Sequence, residues 1–226
     1  MQDVFSSSSS SITQSETQKV LRNTYSLLAV TLLVSAVAAF IGMAIGISPV
    51  MSIVFSLAAF GVIWLVLPKM ANSANGIWVV LGVAALLGAG LAPTLNHYLA
   101  SANGGMIIMQ ALGGTALVFF ALSGYVLTTR KDFSFMGGFL MVGLITVVIA
   151  SLAFMVLGLF GVQVSGIQLA ISAAVVLLMS GFILYDTSAI INGGETNYVM
   201  ATVRLYLDIL NLFTALLHLL GFLNDD

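Results

Sequence analysis

The sequence predicts an all-α membrane protein with seven transmembrane helices, the seventh of them facing protein or water along one side. Three observations carry this prediction. Hydrophobic residues fill 60% of the 226 positions and charged residues 6%, where a soluble domain carries about 25% charged. The mean hydropathy is +1.15, and the apolar residues fall into seven runs of about the 20 residues that cross a bilayer. The last run also carries a polar stripe along one face, which directs that helix toward protein or water rather than lipid.

The same composition excludes several classes of function. No cysteine is present, so disulfides, thiol catalysis and Cys-ligated zinc are ruled out. Two histidines and no HExxH, GxGxxG or GKS/T string leave no soluble-enzyme signature. No basic or aromatic patch points to nucleic acid, and no resident cofactor is expected.

The chain opens with a polar, low-complexity stretch holding the run Ser6–Ser11. Few apolar residues predict a disordered tail over 1–18, ahead of a transmembrane domain over 19–226. Lys19 and Arg22 precede the first apolar run, Thr24–Gly46. Ala36-Val37-Ala38 resembles a signal-peptide cleavage site, but the run continues well beyond it, so the segment reads as an uncleaved span. Further spans are expected at Pro49–Leu67, Ile77–Leu99, Met106–Thr128, Phe135–Phe160, Gly166–Ile191 and Thr202–Phe222. Pro93 should kink or end the third span. Ala84, Gly88 and Ala92 recur every four residues there, a small-residue face for close helix packing. Trp78 suits an interfacial anchor.

Lys19, Arg22, Lys69, Arg130, Lys131 and Arg204 all fall on the side of the N-terminus, while the opposite loops around Ser48, Asn103 and Gln163 carry no cation. The positive-inside rule therefore expects a cytoplasmic N-terminus and, with seven spans, an outer C-terminus. Arg130 and Lys131 suit anionic headgroups on the cytoplasmic leaflet.

In the seventh span, with Arg204 at zero, Asp208 falls at about 40°, Asn211 at about −20° and His218 at about −40° on a helix. Asp186 lies five residues before the end of the preceding span. Each acid then sits about 7–10 Å below the cytoplasmic face.

Two longer strings, Gly113–Gly143 and Gly193–Phe213, closely resemble the Bax inhibitor-1 family. Within it they look most like the YccA-like branch, bacterial modulators of the membrane protease FtsH. The likeness runs from about Lys19 to the C-terminus. It implies six helices around a seventh and an inner-membrane location. It also implies FtsH as a partner, or a pH-sensitive Ca²⁺ leak through acids that match Asp186 and Asp208. Some calcium-leak relatives carry an arginine in the second span, whereas Pro49 to Pro68 here holds no charge.

Two carboxyls held close in a low dielectric cannot both ionise cheaply, so one proton is shared. Its loss would drive the two helices apart. Ca²⁺ takes six to eight oxygens, so Asp186 and Asp208 would bind it weakly, with Asn211, Thr187, carbonyls and water completing the shell. Two plainer arrangements are open: Arg204 and Asp208 as an i,i+4 ion pair, or Asp186 reaching cytoplasmic water. Glu195 is either a solvated turn residue or a cytoplasmic contact or cation vestibule. His218 reads as a polar filler and His97 as solvated. No GxGD string accompanies Asp208, which argues against an aspartyl protease. The N-terminal tail offers a handle to an ATP-driven protease.

Overall fold

A computed structural model describes the backbone of residues 2–160 and 165–224, and the side chains of these except 2–14, 155, 159 and 165. The expected loop around Gln163 and the terminal Asp225 and Asp226 lie outside the described residues. Every regular element among the described residues is helical. They are α1 (Gln2–Ile45), α2 (Pro49–Leu65), α3 (Leu67–Met70), α4 (Asn75–Gly90), α5 (Ala92–Leu99), α6 (Gly104–Thr129), a 3₁₀ turn (Ser134–Met136), α7 (Gly137–Leu159), α8 (Ser165–Ile191) and α9 (Tyr198–Asn224).

Among the described residues six helical stretches are long and apolar enough to cross a membrane: Ser15–Ile45, Asn75–Leu99, Gly104–Thr129, Ser134–Gly158, Gly166–Ile191 and Tyr198–Asn224. The expected second span is the apolar helix Pro49–Leu65, shorter at 17 residues. Ser48 caps it, its hydroxyl accepting from the Met51 N–H at 3.3 Å. Pro49 opens its first turn, where a missing N–H costs nothing.

The serine-rich segment expected as a disordered tail is helical and opens α1. Its side chains over 1–14 lie outside the described residues. No glycine or proline precedes Gly42, so nothing in the sequence forces the helix to stop short of the first span.

The third span breaks at Leu91, between α4 and α5. Pro93 explains the place: it has no N–H for the Ala89 carbonyl, and its ring crowds that oxygen. The chain recovers through a Leu91 N–H bond to Leu87 and a Leu95 N–H bond to Leu91.

The chain divides into two compact units, Met1–Asn96 with Ala189–Tyr206, and His97–Ser188 with Leu207–Asp226. In the first unit, α4 packs on α1 and α2. The small-residue face makes this approach so close that a Cβ on Gly88 would run into the Ser35 backbone, with Ser35 Cα at 2.8 Å. A Cβ on Gly42 would meet the Ala92 methyl at 2.9 Å. The hydroxyl of Ser52 on α2 donates to the Gly90 carbonyl on α4.

In the second unit, glycines on α7 and α8 receive leucines. Leu178 fills the space over Gly143, and Leu140 the space over Gly181. Between α5 and α9, the Tyr98 ring lies against Gly221 and 6.3 Å from the His218 ring. The spans differ widely in burial. Half of the most apolar window of α9 is buried (50%), against 6% for the span that contains α7.

Candidate functional site

The loop between α8 and α9 is built on local capping. Gly193 takes φ +76°, the left-handed turn that closes α8. The Glu195 N–H then returns to the Ala189 carbonyl at 3.0 Å. Asn197 opens α9: its side-chain oxygen accepts from the N–H groups of Val199 (2.9 Å) and Met200 (3.1 Å). Its amide nitrogen donates to the Ala71 carbonyl (3.1 Å) and the Asn72 side chain (2.8 Å), fastening this loop to the α3–α4 turn.

Glu195 belongs to the same network. One carboxylate oxygen accepts from the Asn197 N–H at 2.9 Å, and the other pairs with Arg204 at 3.3 Å. The glutamate is 13% exposed and the arginine 46%. Arg204 and Glu195 are thus brought together, and the carboxylate helps to hold the loop in shape. The half-exposed arginine limits this pair to about 0–1 kcal/mol.

Asp186 on α8 and Asp208 on α9 lie in the second unit, each 6% exposed. Each takes part in at least one polar or electrostatic interaction. Burying an ionised carboxylate is expensive unless it is paired or protonated, so such groups are rarely retained for packing alone. Thr187 and Ser188 continue the buried polar run on α8. Thr187 donates to the Ser123 hydroxyl of α6 across 3.5 Å. Ser188 accepts from the Phe133 N–H at 2.9 Å and donates to the Lys131 carbonyl at 3.3 Å.

The polar stripe on α9 is not uniformly buried. Asp208 is buried, His218 half-buried and Asn211 exposed. Asn211 therefore stands on the open side of the helix, one turn from the buried acid. His97 is exposed at the end of α5. Among the described residues no group of three or more His, Cys, Asp or Glu could hold a metal ion.

Two features of the first unit carry no local sequence signal. The buried Tyr206 hydroxyl shares a 2.8 Å hydrogen bond with Ser35 on α1, and donates to the Ala84 carbonyl of α4 at 3.4 Å. Thr202 donates to the Thr24 carbonyl at 3.3 Å. These partners are separated by 171, 122 and 178 positions.

Comparison with known proteins bears on the whole chain. The family model described as "Inhibitor of apoptosis-promoting Bax1" matches residues 17–225. The chain belongs to the Bax inhibitor-1 family. It is 46% identical over 226 residues, the full length of both chains, to an Escherichia coli K12 protein named "Modulator of FtsH protease YccA". An "Uncharacterized membrane protein" of Vibrio cholerae is 50% identical over 211 residues, covering 93% of this chain and 92% of its own. A protein of E. coli O6:H1, identical to this chain at the same 46% over the full length, is named "Inner membrane protein YccA". This Bax inhibitor-1 family member is a multi-pass helical membrane protein. These relatives are named as a modulator or as membrane proteins, not as enzymes.

Proposed function

We propose that this protein modulates an FtsH-type protease in the bacterial inner membrane, without catalysing a reaction itself. The observation that carries the proposal is the end-to-end match, at 46% identity, with a protein named for that role. Both chains align over their full length, so spans, loops and termini all have counterparts. The fastened α8–α9 loop supplies a firm, polar surface next to a span end, as a protein contact needs.

The proposed topology is a cytoplasmic N-terminus, seven crossings and an outer C-terminus. The α2 helix would be the additional crossing. Its 17 residues extend about 25 Å at 1.5 Å per residue, the lower end of the spanning range. The tail over 1–18 would then be open to an ATP-driven protease on the cytoplasmic side.

Affinity capture of the tagged protein from membranes tests the main reading. FtsH should be retained by the wild type and equally by Asp186→Asn/Asp208→Asn. Recovery of the protein without FtsH under gentle solubilisation would sink it.

A pH-sensitive Ca²⁺ leak is the second reading. What favours it is the pair of buried carboxyls, Asp186 and Asp208, on two spans, with the exposed amide of Asn211 one turn away on α9. An amide exposed midway along a span suits a water-filled entry better than lipid. Ca²⁺ would pass as cargo, held briefly by the two acids with Asn211, Thr187 and water. Arg204 would influence the acids from the cytoplasmic end of α9, with Glu195 as its counter-charge. Pure protein in liposomes should then conduct Ca²⁺ with a pH dependence that the double Asp→Asn variant loses.

A further inference from the structure

The turn joining α6 to α7 has no part in either reading, yet it is a built structure. Arg130 and Lys131 lie there side by side, both exposed, and supply two of the chain's six positive charges. Arg130 adopts φ 52°, the one positive φ at a non-glycine among the described residues. Its N–H caps α6 through the Val126 carbonyl at 2.8 Å. Glycine is the ordinary occupant of this position. An arginine there is kept against local backbone preference, which points to a use for its side chain.

Aromatic groups cluster beside Lys131. The Lys131 ammonium lies 5.7 Å from the Tyr125 ring centroid. Phe133 lies 6.3 Å from both the Tyr125 and the Phe135 rings. Phe135 is 79% exposed, and Phe139 one turn further along also faces outward. Cations beside exposed aromatics at the end of a bilayer-length helix match the chemistry of the membrane–water interface.

The turn is also held from behind. Ser188 accepts from the Phe133 N–H and donates to the Lys131 carbonyl. The Asp132 carboxylate is committed to the Ser134 N–H at 2.8 Å. The hydrogen bond leaves the Asp132 charge in place, so Arg130 and Lys131 give the turn a net charge of one positive. Ser188 stands two residues beyond Asp186 on α8, within the same compact unit.

We propose that the Arg130–Phe135 turn binds the headgroup of an anionic phospholipid, and that Ser188 links its occupancy to α8. The phosphodiester lies between Arg130 and Lys131, and the acyl chains run along Phe135 and Phe139. A lipid phosphate satisfies both cations at once, and its glycerol and chains cover rings that free phosphate would leave bare.

Native mass spectrometry of the full chain, titrated with phosphatidylglycerol or phosphatidylcholine of matched chains, tests the site. Each cation near a phosphate is worth about fivefold, so phosphatidylglycerol should be retained about 25-fold better. Arg130→Gln/Lys131→Gln should bring the two lipids to parity, while Arg130→Lys/Lys131→Arg and Lys69→Gln keep the preference. Should the doubly neutral variant fail to accumulate, Arg130→Gly suits the backbone and should still lose about fivefold. Equal retention of phosphatidylglycerol by wild type and neutral variants would overturn the site. Displacement of the lipid by millimolar inorganic phosphate would overturn the lipid assignment. Ser188→Ala should keep the lipid preference within about twofold but lose the rise in Tm that phosphatidylglycerol gives the wild type. A rise that survives in Ser188→Ala would overturn the link to α8.

Discussion

The two compact units bury their polar groups in different ways. In the first, the buried groups are neutral and span long sequence distances: Tyr206 with Ser35 and Ala84, and Thr202 with Thr24. Small residues bring α1 and α4 into backbone contact around Gly88. In the second, two carboxyls are buried in spans, and on α7 and α8 leucine ends cover Gly143 and Gly181. Neutral hydroxyls bonded to carbonyls hold one arrangement at any physiological pH. A buried carboxyl changes charge with its surroundings and can favour one of two arrangements. On the second reading proposed above, the first unit would be the frame and the second the part that responds.

Gly88→Ala should break that comparison most severely. The added methyl meets Ser35 backbone atoms that cannot rotate away, at about 3 kcal/mol or more. Thermal unfolding in detergent should show a large fall in Tm or no folded protein at all. Gly114→Ala, whose Cβ finds only the Leu216 methyl at 3.5 Å, should be close to neutral in the same assay.

Asn197→Ala should come next. It removes the α9 cap and the bond to the α3–α4 turn together, for about 1–2 kcal/mol. Proteolysis should then cut first in the Asn192–Asn197 loop. Tyr206→Phe keeps the ring and loses the hydroxyl bonds, about 1 kcal/mol in a membrane setting. Its Tm should fall modestly, and a double variant with Ser35→Ala should lose less than the sum of the singles.

The smallest effect is expected at Asp132, which is fully exposed. Its hydrogen bond from the Ser134 N–H, aided by the Ser134 side chain, holds its carboxyl below the usual value of 3.8. A folded-state value below the unfolded one stabilises above pH 3.8, and the contribution disappears as pH falls through the folded value. Asp132→Asn should be slightly less stable than wild type at pH 7, and the gap should close on acidification below 3.8.

Much of this architecture is legible along the chain. Apolar run length anticipates six spanning helices among the described residues and the shorter α2, and Pro93 anticipates the break at Leu91. The four-residue recurrence of Ala84, Gly88 and Ala92 anticipates the α1–α4 approach. Asn197, an N-cap residue just ahead of an apolar run, was a signal available in the sequence. The partners of Tyr206, Thr202 and Asn197 were not, because a hydroxyl or amide on one helix carries no record of which distant carbonyl it meets. Glu195 illustrates the same limit: its position is evident, but its commitment to Arg204 and the Asn197 N–H requires the folded loop. The stripe on α9 was legible as geometry but not as burial, since Asn211 is exposed where Asp208 is enclosed.

The central claim concerns proteolysis, and it is tested most directly by the rate at which FtsH degrades a membrane substrate in proteoliposomes with and without this protein. Slower degradation, equally strong with wild type and with Asp186→Asn/Asp208→Asn, is the predicted result. A rate unchanged by saturating amounts of the protein would contradict the account and leave ion conduction as the function to pursue.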